Sequence, residues 1–338
     1  MQVLIIGGTG LLGSAGAAEL IARGHRVRAL ALPPVPPGCR LPAEMELVFG
    51  NLNTMDDAAI EQLLAGCDAL VFAAGVDERV EGPPPIYDLF YRNNIAPLER
   101  LLRLAKFSDI RQVVVLGSYF AYFDRTWPTM NLAGRHPYIR SRIDQENMAL
   151  SFSNDLMQVC VLELPYIFGA QPGRKPVWVF LIEQLLAMPG RMAFYPRGGT
   201  TMVTVRQVGQ CIAGAVERGQ AGRSYPVGWF NLDWTELLRI MYRHLGQPDK
   251  QIITIPDWLF RLQTRQIMRE KKRQGLEPGL NLVEYTRVMT ARTFIDRTVI
   301  EQELGVGGDD LDAAIGESVR LSLAIIREKS AAVDMRAD

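Results

Sequence analysis

A glycine-rich turn close to the amino terminus constrains this chain more than any other feature. The apolar run Val3–Ile6 has the composition of a buried strand, and the next seven residues are Gly-Gly-Thr-Gly-Leu-Leu-Gly. Apolar residues then recur at helical spacing from Leu11 to Arg23. A strand that passes through a tight glycine turn into a helix is typical of the first unit of a parallel α/β sheet.

The first half of the chain repeats this alternation of strand and helix. A second helical pattern runs from Ile95 to Lys106. The further candidate strands are Val27–Ala31, Glu46–Phe49, Ala69–Ala73, Gln112–Leu116 and Gln158–Leu164. Nearly continuous apolar strands separated by helices predict a parallel sheet buried on both faces, and right-handed crossovers make it a doubly wound, Rossmann-type α/β fold.

The pattern loosens after Gly169, which predicts a second, smaller domain. We expect residues 1–170 to form the Rossmann domain and residues 171–330 to form mainly a substrate-binding domain, with a segment near 200–220 returning to the first. The charged run 265–275 is typical of a solvated helix face. The tail, 331–338, is expected to be disordered.

Composition excludes several classes of function. The 338 residues contain 37 Lys plus Arg and 37 Asp plus Glu, and this zero net charge argues against nucleic acid as a partner. The chain has no apolar run of the roughly 18 residues that a membrane span needs, so no membrane partner is expected. Four scattered cysteines favour the reducing cytoplasm, and three histidines argue against a metal site.

The glycine spacing predicts a dinucleotide site. Gly7 permits the tight turn, Gly10 lets the backbone approach a pyrophosphate, and Gly13 lets the helix pack closely on the strand. The free N–H groups and the positive dipole end of the helix then face the phosphates. The residues expected to contact the cofactor here are Gly7, Thr9, Gly10, Leu11, Leu12 and Gly13.

The end of the second strand bears on which dinucleotide binds. Ala31 and Leu32 stand where NAD sites place a carboxylate for the ribose hydroxyls and NADP sites a basic residue. Without a partner for a 2′-phosphate, NAD is favoured and NADP remains open. Arg28 is one candidate for such a partner, although strand alternation does not direct it clearly at the ribose.

Tyr138 and Arg142 lie four residues apart at the start of a predicted helix and therefore share one of its faces. A nearby cation stabilises a tyrosinate and lowers the pKa of the phenol, which favours proton transfer near neutral pH. Ser118 follows the fifth strand, at the end of the sheet where ligands bind in this class of fold. Its hydroxyl is suited to bind a substrate carbonyl.

Together these motifs resemble an extended short-chain dehydrogenase/reductase of the NAD-dependent epimerase/dehydratase type, over roughly residues 1–325. The resemblance implies that Ser118 and Tyr138 are catalytic and that Asn94 supports the active-site water network. Arg142 stands at the family's lysine, which holds the nicotinamide ribose, and Glu163 stands where an arginine is common. Further cofactor contacts are implied at Asn51, Leu52, Ala73, Ala74, Gly75, Pro165 and Ile167, in addition to Tyr138 and Arg142.

The resemblance also implies a homodimer, built on a four-helix bundle from Ile95–Lys106 and the helix that starts at Tyr138. The expected function is that of an NAD(P)-dependent oxidoreductase or epimerase acting on a secondary alcohol or ketone, a small molecule. Nucleotide sugars, sterol-like alcohols and small keto compounds all remain open. The alternative is a non-catalytic dinucleotide-binding sensor or structural protein, which Arg142 and the missing ribose anchor motivate.

Several other side chains have a common structural interpretation. His136 is near Tyr138 in sequence, and a loop histidine is as good a reading as a substrate contact. The basic residues Arg174, Lys175 and Arg197 are suited to pair with a carboxylate or a nucleotide-sugar phosphate, and the default interpretation of each one singly is a surface charge. An aromatic set is suited either to a substrate pocket or, more commonly, to the core: Tyr119, Phe120, Tyr122, Tyr166, Phe168 and Trp178.

Overall fold

The computed structural model describes residues 1–328 and 332–334. The strands of these residues are β1 (Gln2–Ile6), β2 (Arg26–Ala31), β3 (Glu46–Phe49), β4 (Ala69–Phe72), β5 (Glu81–Gly82), β6 (Gln112–Ser118), β7 (Gln158–Leu164), β8 (Tyr166–Phe168), β9 (Met192–Pro196), β10 (Gly199–Thr204), β11 (Arg223–Pro226), β12 (Phe230–Asp233), β13 (Gln251–Ile255), β14 (Glu277–Pro278) and β15 (Arg292–Thr293).

The helices are α1 (Leu11–Ala22), α2 (Asp57–Leu64), α3 (Tyr87–Phe90), α4 (Ala96–Ala105), α5 (Tyr119–Thr126), α6 (Leu132–Arg135), α7 (Pro137–Leu150), α8 (Val179–Ala187), α9 (Val205–Arg218), α10 (Trp234–His244), α11 (Asp257–Arg273), α12 (Leu282–Met289), α13 (Thr298–Leu304) and α14 (Leu311–Glu328). A π-helical turn, Tyr91–Ile95, joins α3 to α4, and a 3-10 turn, Pro128–Met130, precedes α6.

Seven parallel strands form the central sheet, in the order β11-β7-β6-β4-β1-β2-β3. The strand order reverses beside β1, and the carboxyl ends of β1 and β4 flank that reversal. In a doubly wound sheet this is the crevice in which ligands bind. The predicted Rossmann-type fold is therefore confirmed.

The sheet is buried on both faces, because alternate residues of each strand point to opposite layers. On β1, Val3 and Ile5 pack in the layer of α1, α9 and α13, whereas Leu4 and Ile6 pack in the layer of α2 and α4. All four side chains are at most 3% exposed. This double burial explains why the strands are nearly continuous apolar runs.

A second region is built on smaller sheets. Strand β10 pairs with β8, β12 and β15, and β9 pairs with β13. Helices α8, α10 and α14 cover it, and its core contains Phe168, Trp178 and Trp234. This region lies beside the carboxyl end of the central sheet because β8 follows β7 directly along the chain.

The six predicted strands agree with the structure to within two residues at each end. The seventh strand of the central sheet, Arg223–Pro226, has no apolar run to reveal it. In the stretch expected to return to the first domain, β10 belongs to the smaller sheet while α9 packs on α1, with Gly16 against Ile212. The predicted tail falls largely outside the described residues, and within it Val333 exchanges backbone hydrogen bonds with Gly173 and Lys175, at 2.9 and 3.1 Å.

Candidate dinucleotide site and active site

The glycine turn brings β1 against the ends of β2 and β4. Gly7 adopts φ +91° and donates its N–H to the carbonyl of Leu30 at 2.8 Å. A Cβ on Gly7 would lie 2.8 Å from the carbonyl oxygen of Ala73, and one on Gly13 would lie 2.3 Å from that of Gly7. Only glycine fits at either position, so the turn keeps α1 close to the sheet edge.

The amino terminus of α1 is left open as an anion-binding cradle. Its N-cap, Gly10, has no side chain to accept hydrogen bonds from the first turn, and that turn has no acidic residue. The N–H groups of the first turn and the helix dipole therefore favour a negative group at this point. A dinucleotide pyrophosphate fits this donor set.

Arg174 supplies a cation to the same cradle. Its Nη2 donates to Thr9 Oγ1 at 2.7 Å and its Nε donates to the Thr9 carbonyl at 3.2 Å. Thr9 itself is buried in the turn. The interpretation of Arg174 as a surface charge was wrong, since a loop folded over the glycine turn carries it there. Lys175 and Arg197 do form exposed ion pairs, with Asp334 and Asp257.

The second strand offers no basic residue at its carboxyl end. Ala31 is buried and Leu32 is exposed. Arg28 pairs with Glu46 on β3, and its Nη1 donates to the carbonyls of Leu63 and Ala65. Arg28 thus joins β2 to β3 and α2, and it is not the partner for a 2′-phosphate that the sequence left open.

Further along the crevice, Asn51 Oδ1 accepts a hydrogen bond from the N–H of Asn53 at 3.0 Å, which closes a turn after β3. Leu52 is buried against the α2 layer, and Ala74 packs on the same layer.

Ile167 is half-buried, and its carbonyl accepts from the indole of Trp178 at 2.9 Å. Pro165 separates β7 from β8.

Ser118 and Tyr138 meet at the end of the central sheet. Ser118 is the last residue of β6 and accepts from the N–H of Phe120 as the N-cap of α5. Tyr138 lies in the first turn of α7, and Ser118 is near enough to lower the pKa of its phenol. The rings of Phe90 and Phe120 pack edge-on against Tyr138, with centroids 5.5 and 6.5 Å away. The Tyr138 ring is therefore held in an apolar wall near the end of β6.

Arg142 lies one helical turn after Tyr138 and is buried beneath it. Its Nη2 donates to the carbonyl of Leu116 on β6, and its Nε has no hydrogen-bond partner among the described residues. A Cβ on Gly75 would lie 3.9 Å from Nη1, so the guanidinium also reaches the loop after β4. An unpartnered buried N–H at this point fits a ribose hydroxyl as its acceptor.

The pKa of Tyr138 differs from the sequence expectation. Burial raises the pKa of the Tyr138 phenol, and the charge of Glu78 raises it further. Arg142 and the Ser118 hydroxyl lower it but do not overcome burial. Because desolvation dominates, Tyr138 is a protonated phenol at neutral pH rather than a tyrosinate.

Asn94 positions the loop that follows β4. It is fully buried in the π-helical turn, its Oδ1 accepts from the Val76 N–H at 2.8 Å, and its Nδ2 donates to the Val76 carbonyl at 3.1 Å. Gly75 adopts φ +135°, and a Cβ there would lie 2.6 Å from Asn94 Oδ1. Asn94 therefore shapes the backbone around the site through Val76.

Glu78 is a carboxyl group in the site that sequence reasoning missed. The backbone carbonyl of Glu78 lies 2.9 Å from the position that a Cβ on Gly279 would occupy. The carbonyl of Gly279 in turn accepts a hydrogen bond from the Tyr138 N–H at 2.9 Å. Burial and the neighbouring Asp77 raise the pKa of Glu78 to about 7, against the opposing charges of Arg79 and Arg142. A carboxyl group whose pKa is raised towards neutrality is suited to proton exchange.

Tyrosines from three distant segments line the space beside Tyr138. The hydroxyls of Tyr166 and Tyr285 lie 3.2 Å apart, and the Tyr119 hydroxyl lies 3.3 Å from Thr200 Oγ1. The rings of Tyr119 and Tyr166 are 6.2 Å apart. Tyr285, on α12, had no motif to mark it. These tyrosines thus form an aromatic cluster with hydroxyl groups at intervals.

His136 is held in place by the second region. Its Nδ1 accepts from the Asn281 N–H at 3.2 Å, while the buried Nε2 has no partner among the described residues. Burial lowers the pKa of His136 to about 4, so the ring is neutral. Its ring centroid lies 6.0 Å from that of Tyr285, so His136 borders the aromatic cluster.

Glu163 is explained by a charge network behind the site. Arg125 on α5 donates to Glu163 from Nη2 at 2.8 and 2.9 Å and to Glu146 from Nη1 at 2.8 Å. Ser224 also donates to Glu146, at 2.8 Å. Arg125 therefore supplies, from α5, the positive charge that pairs with both buried carboxyl groups.

The described residues contain neither a cluster of metal ligands nor a membrane-spanning helix. Among residues 1–328 and 332–334, no group of three or more His, Cys, Asp or Glu side chains is arranged to hold a metal ion. In the same part of the chain, no helix has the length and apolar composition needed to cross a bilayer.

Comparison with known proteins identifies the family. The fold and the site define a Rossmann-type protein with a dinucleotide cradle and a Ser–Tyr pair. Residues 3–200 match the NAD dependent epimerase/dehydratase family, and the chain belongs to this family. No curated protein matches the chain.

Solved structures of the same fold cover nearly the whole chain. The structure of gox2253 matches 98% of this chain and 99% of its own, with 21% identity and a TM-score of 0.76. PA4631, a nucleoside-diphosphate-sugar epimerase from Pseudomonas aeruginosa, covers 98% and 99%, with 18% identity and a TM-score of 0.68. UDP-glucuronic acid 4-epimerase from Bacillus cereus, in complex with NAD, covers 97% and 100%, with 12% identity and a TM-score of 0.66.

Proposed function

We propose that this protein is an NAD(P)-dependent oxidoreductase or epimerase that moves a hydride between the nicotinamide and the carbinol carbon of a secondary alcohol or ketone. The observation that carries the proposal is that Ser118 and Tyr138 are both buried at the carboxyl end of β6, the edge of the sheet that also carries the open cradle of α1. Bound nicotinamide supplies the hydride donor or acceptor.

Each residue of the site has a role in this reaction. Ser118 donates a hydrogen bond to the substrate oxygen and fixes its position. Tyr138 donates its proton to that oxygen when a ketone is reduced and accepts the proton when an alcohol is oxidised. Burial keeps Tyr138 protonated at neutral pH, and the charge of Arg142 offsets part of the raised pKa that opposes proton donation. Arg142 stabilises the tyrosinate that remains.

For the cofactor, the cradle of α1 and Arg174 would hold the pyrophosphate, and Arg142 Nε would meet the nicotinamide ribose. NAD is proposed ahead of NADP because the end of β2 carries Ala31 and Leu32. Two structural relatives support this choice, since the UDP-glucuronic acid 4-epimerase and a dTDP-glucose 4,6-dehydratase from Streptomyces venezuelae were both solved with NAD bound.

The aromatic cluster near Tyr138 indicates the shape of the substrate. Tyr119, Tyr166 and Tyr285 offer ring faces and hydroxyl groups, which suit a ring-shaped alcohol or ketone. One structural relative, MoeE5, was solved in complex with UDP-glucose and in complex with UDP-glucuronic acid, so a nucleotide sugar is one such substrate class. We further propose that the protein acts in the cytoplasm, because its four cysteines are free thiols.

The test is a fluorescence titration of the purified protein with NADH and NADPH, followed by a screen of ketones and alcohols with whichever cofactor binds. Saturable binding with turnover of a carbonyl substrate, lost in Ser118→Ala, would support the proposal. Saturable binding without turnover, unchanged by the substitution, would instead favour a non-catalytic dinucleotide sensor. Binding of neither dinucleotide to folded, cofactor-free protein would refute the assigned site.

A further inference from the structure

Helix α11 presents apolar side chains to solvent on the side opposite its packed face. It packs on α12, and Thr264 is its one buried residue. Trp258 is 69% exposed and Leu262 is 55% exposed. Large apolar side chains grouped on one exposed helix face mark an interaction surface rather than ordinary surface composition.

The exposed face carries a second chemical signature towards its carboxyl end. Trp258, Leu262, Arg265 and Arg269 follow one another at spacings of four, three and four residues, so they form one stripe along the helix. The first half of the stripe is apolar, and the second half is cationic. A helix of 17 residues is about 26 Å long, enough to lie along a surface.

Charge is concentrated on this helix, although the whole chain is neutral. The six cations of α11 outnumber its two anions, Asp257 and Glu270. Those cations are Arg261, Arg265, Arg269, Lys271, Lys272 and Arg273. Arg261, Lys271 and Arg273 bind Glu284, Glu81 and Glu270. Within residues 1–328 and 332–334, the other three cations form no ion pair.

The apolar surface extends beyond the helix. Strand β13 leads through Pro256 directly into α11, and its Ile253 pairs across the strands with Phe194 of β9. Ile253 is 40% exposed and Phe194 is 50% exposed. Two neighbouring elements of the second region therefore expose apolar side chains beside the cationic stripe.

We propose that α11 rests on an anionic lipid bilayer, with Trp258 and Leu262 at the level of the lipid headgroups and Arg265 and Arg269 on the lipid phosphates. An amphipathic helix with tryptophan and leucine beside arginines has the composition of an interfacial helix. The expectation of no membrane partner depended on the absence of a spanning segment, and a helix that lies on the surface falls outside that argument.

A second copy of the chain fits this surface less well. A two-fold contact would place the same patch of one protomer against that of its partner. The three cations of α11 without an ion pair among the described residues, Arg265, Arg269 and Lys272, would then meet the same three of the partner, which opposes association. An anionic bilayer provides both the negative charge and the apolar layer that this stripe needs.

The proposed surface lies one helix away from the aromatic cluster of Tyr119, Tyr166 and Tyr285. Helix α12 packs on α11 and carries Tyr285, whose hydroxyl meets that of Tyr166. Glu284, next to Tyr285, binds both Arg261 of α11 and Arg135, just before α7. Contact of α11 with a bilayer would therefore place α12 and Tyr285 close to the lipid.

The experiment is co-sedimentation of the full-length protein with vesicles of phosphatidylcholine alone or mixed with phosphatidylglycerol. We expect binding only to the anionic vesicles, weakened by salt. Each arginine near an anionic surface favours binding about fivefold, so Arg265→Gln with Arg269→Gln should weaken partition about thirtyfold. Trp258→Ser with Leu262→Ser should weaken it by about tenfold or more.

Matched controls lie in the Rossmann domain. Arg26→Gln removes one exposed cation, and Phe107→Ser removes a side chain that is 92% exposed. Both should bind vesicles as the unaltered protein does, and thermal melting should confirm that every variant is folded. The proposal is overturned if the protein ignores anionic vesicles, if it binds neutral vesicles equally well, or if the controls lose as much binding as the α11 variants. It is also overturned if Trp258→Ser dissociates a dimer without affecting vesicle binding.

Discussion

Arg125 bridges two buried carboxyl groups, and its removal gives a prediction of known sign. Glu163 on β7 is fully buried and Glu146 on α7 is 4% exposed, and Arg125 donates three hydrogen bonds to them. Removing one partner of a buried ion pair costs about 3–5 kcal/mol. Because the Arg125 side chain is itself half exposed, we expect Arg125→Met to lower the free energy of unfolding by about 2–3 kcal/mol at pH 9.

The pH dependence of this cost follows from Glu163. Burial and the charge of Glu146 raise the pKa of Glu163 to about 8 in the folded protein, from an ordinary value of 4.5. The folded state therefore holds more protons than the unfolded chain between these values, and stability falls as pH rises from 4.5 to 8. Loss of Arg125 raises this pKa further, so the cost of Arg125→Met should be smaller at pH 6, where Glu163 is already neutral.

The assay is urea unfolding at pH 6 and pH 9, with equal m-values required for a valid comparison. Adding Glu163→Gln to Arg125→Met should recover at least half of the lost stability, because the double variant no longer buries the unpaired carboxylate of Glu163. Arg103→Met is the control, since Arg103 pairs with Glu99 on the surface and should cost less than about 0.5 kcal/mol. A cost for Arg125→Met as small as this at pH 9, or no recovery with Glu163→Gln, would refute the reasoning.

Three further predictions concern the site and the assembly. Arg174→Gln should weaken NADH binding about tenfold in a fluorescence titration, with unchanged melting, because one charge-assisted contact to the pyrophosphate is lost. An equal affinity would remove Arg174 from the cradle. In Glu78→Gln, the titration near pH 7 should disappear from the profile of kcat/KM, and its persistence would assign that limb to another group. A homodimer through α4 and α7 should sediment at twice the monomer mass, and Arg140→Glu on the exposed side of α7 should dissociate it, whereas a monomer at all concentrations would contradict it.

The local features of the site were predictable from the sequence because they depend on short-range spacing. The glycines at 7, 10 and 13 act within one turn, and Tyr138 and Arg142 act within one helix. Ser118 was placed by its position at the end of a strand. In each case the parallel sheet brings the ends of consecutive strands to one edge, so the residues meet without further information.

The remaining site residues depend on contacts between distant segments. Arg174 reaches Thr9 across 165 residues, and Tyr285 reaches Tyr166 across 119. Glu78 enters the site because the loop after β4 is held by Asn94 and by Gly279. No periodicity or motif in the sequence marks these contacts, because the path of the chain through the fold determines which distant residues meet.

The pKa of Tyr138 illustrates a second limit. Sequence spacing revealed the cation that lowers it, but burial by Phe90 and Phe120 and the charge of Glu78 are tertiary effects. Desolvation then outweighs the cation. The phenol of Tyr138 is consequently protonated at neutral pH.

The most direct test of the proposed chemistry compares Tyr138→Phe with Tyr122→Phe, a half-buried tyrosine on α5 that lies outside the Ser118–Tyr138 pair. The measurement is the single-turnover rate of nicotinamide oxidation with a ketone substrate, together with the dissociation constant of NADH for each variant. We predict that Tyr138→Phe slows hydride transfer by about 10²–10⁴-fold while NADH binding and melting are unchanged, and that Tyr122→Phe has no effect. Retention of the full rate in Tyr138→Phe would contradict the assignment of Tyr138 as the proton donor.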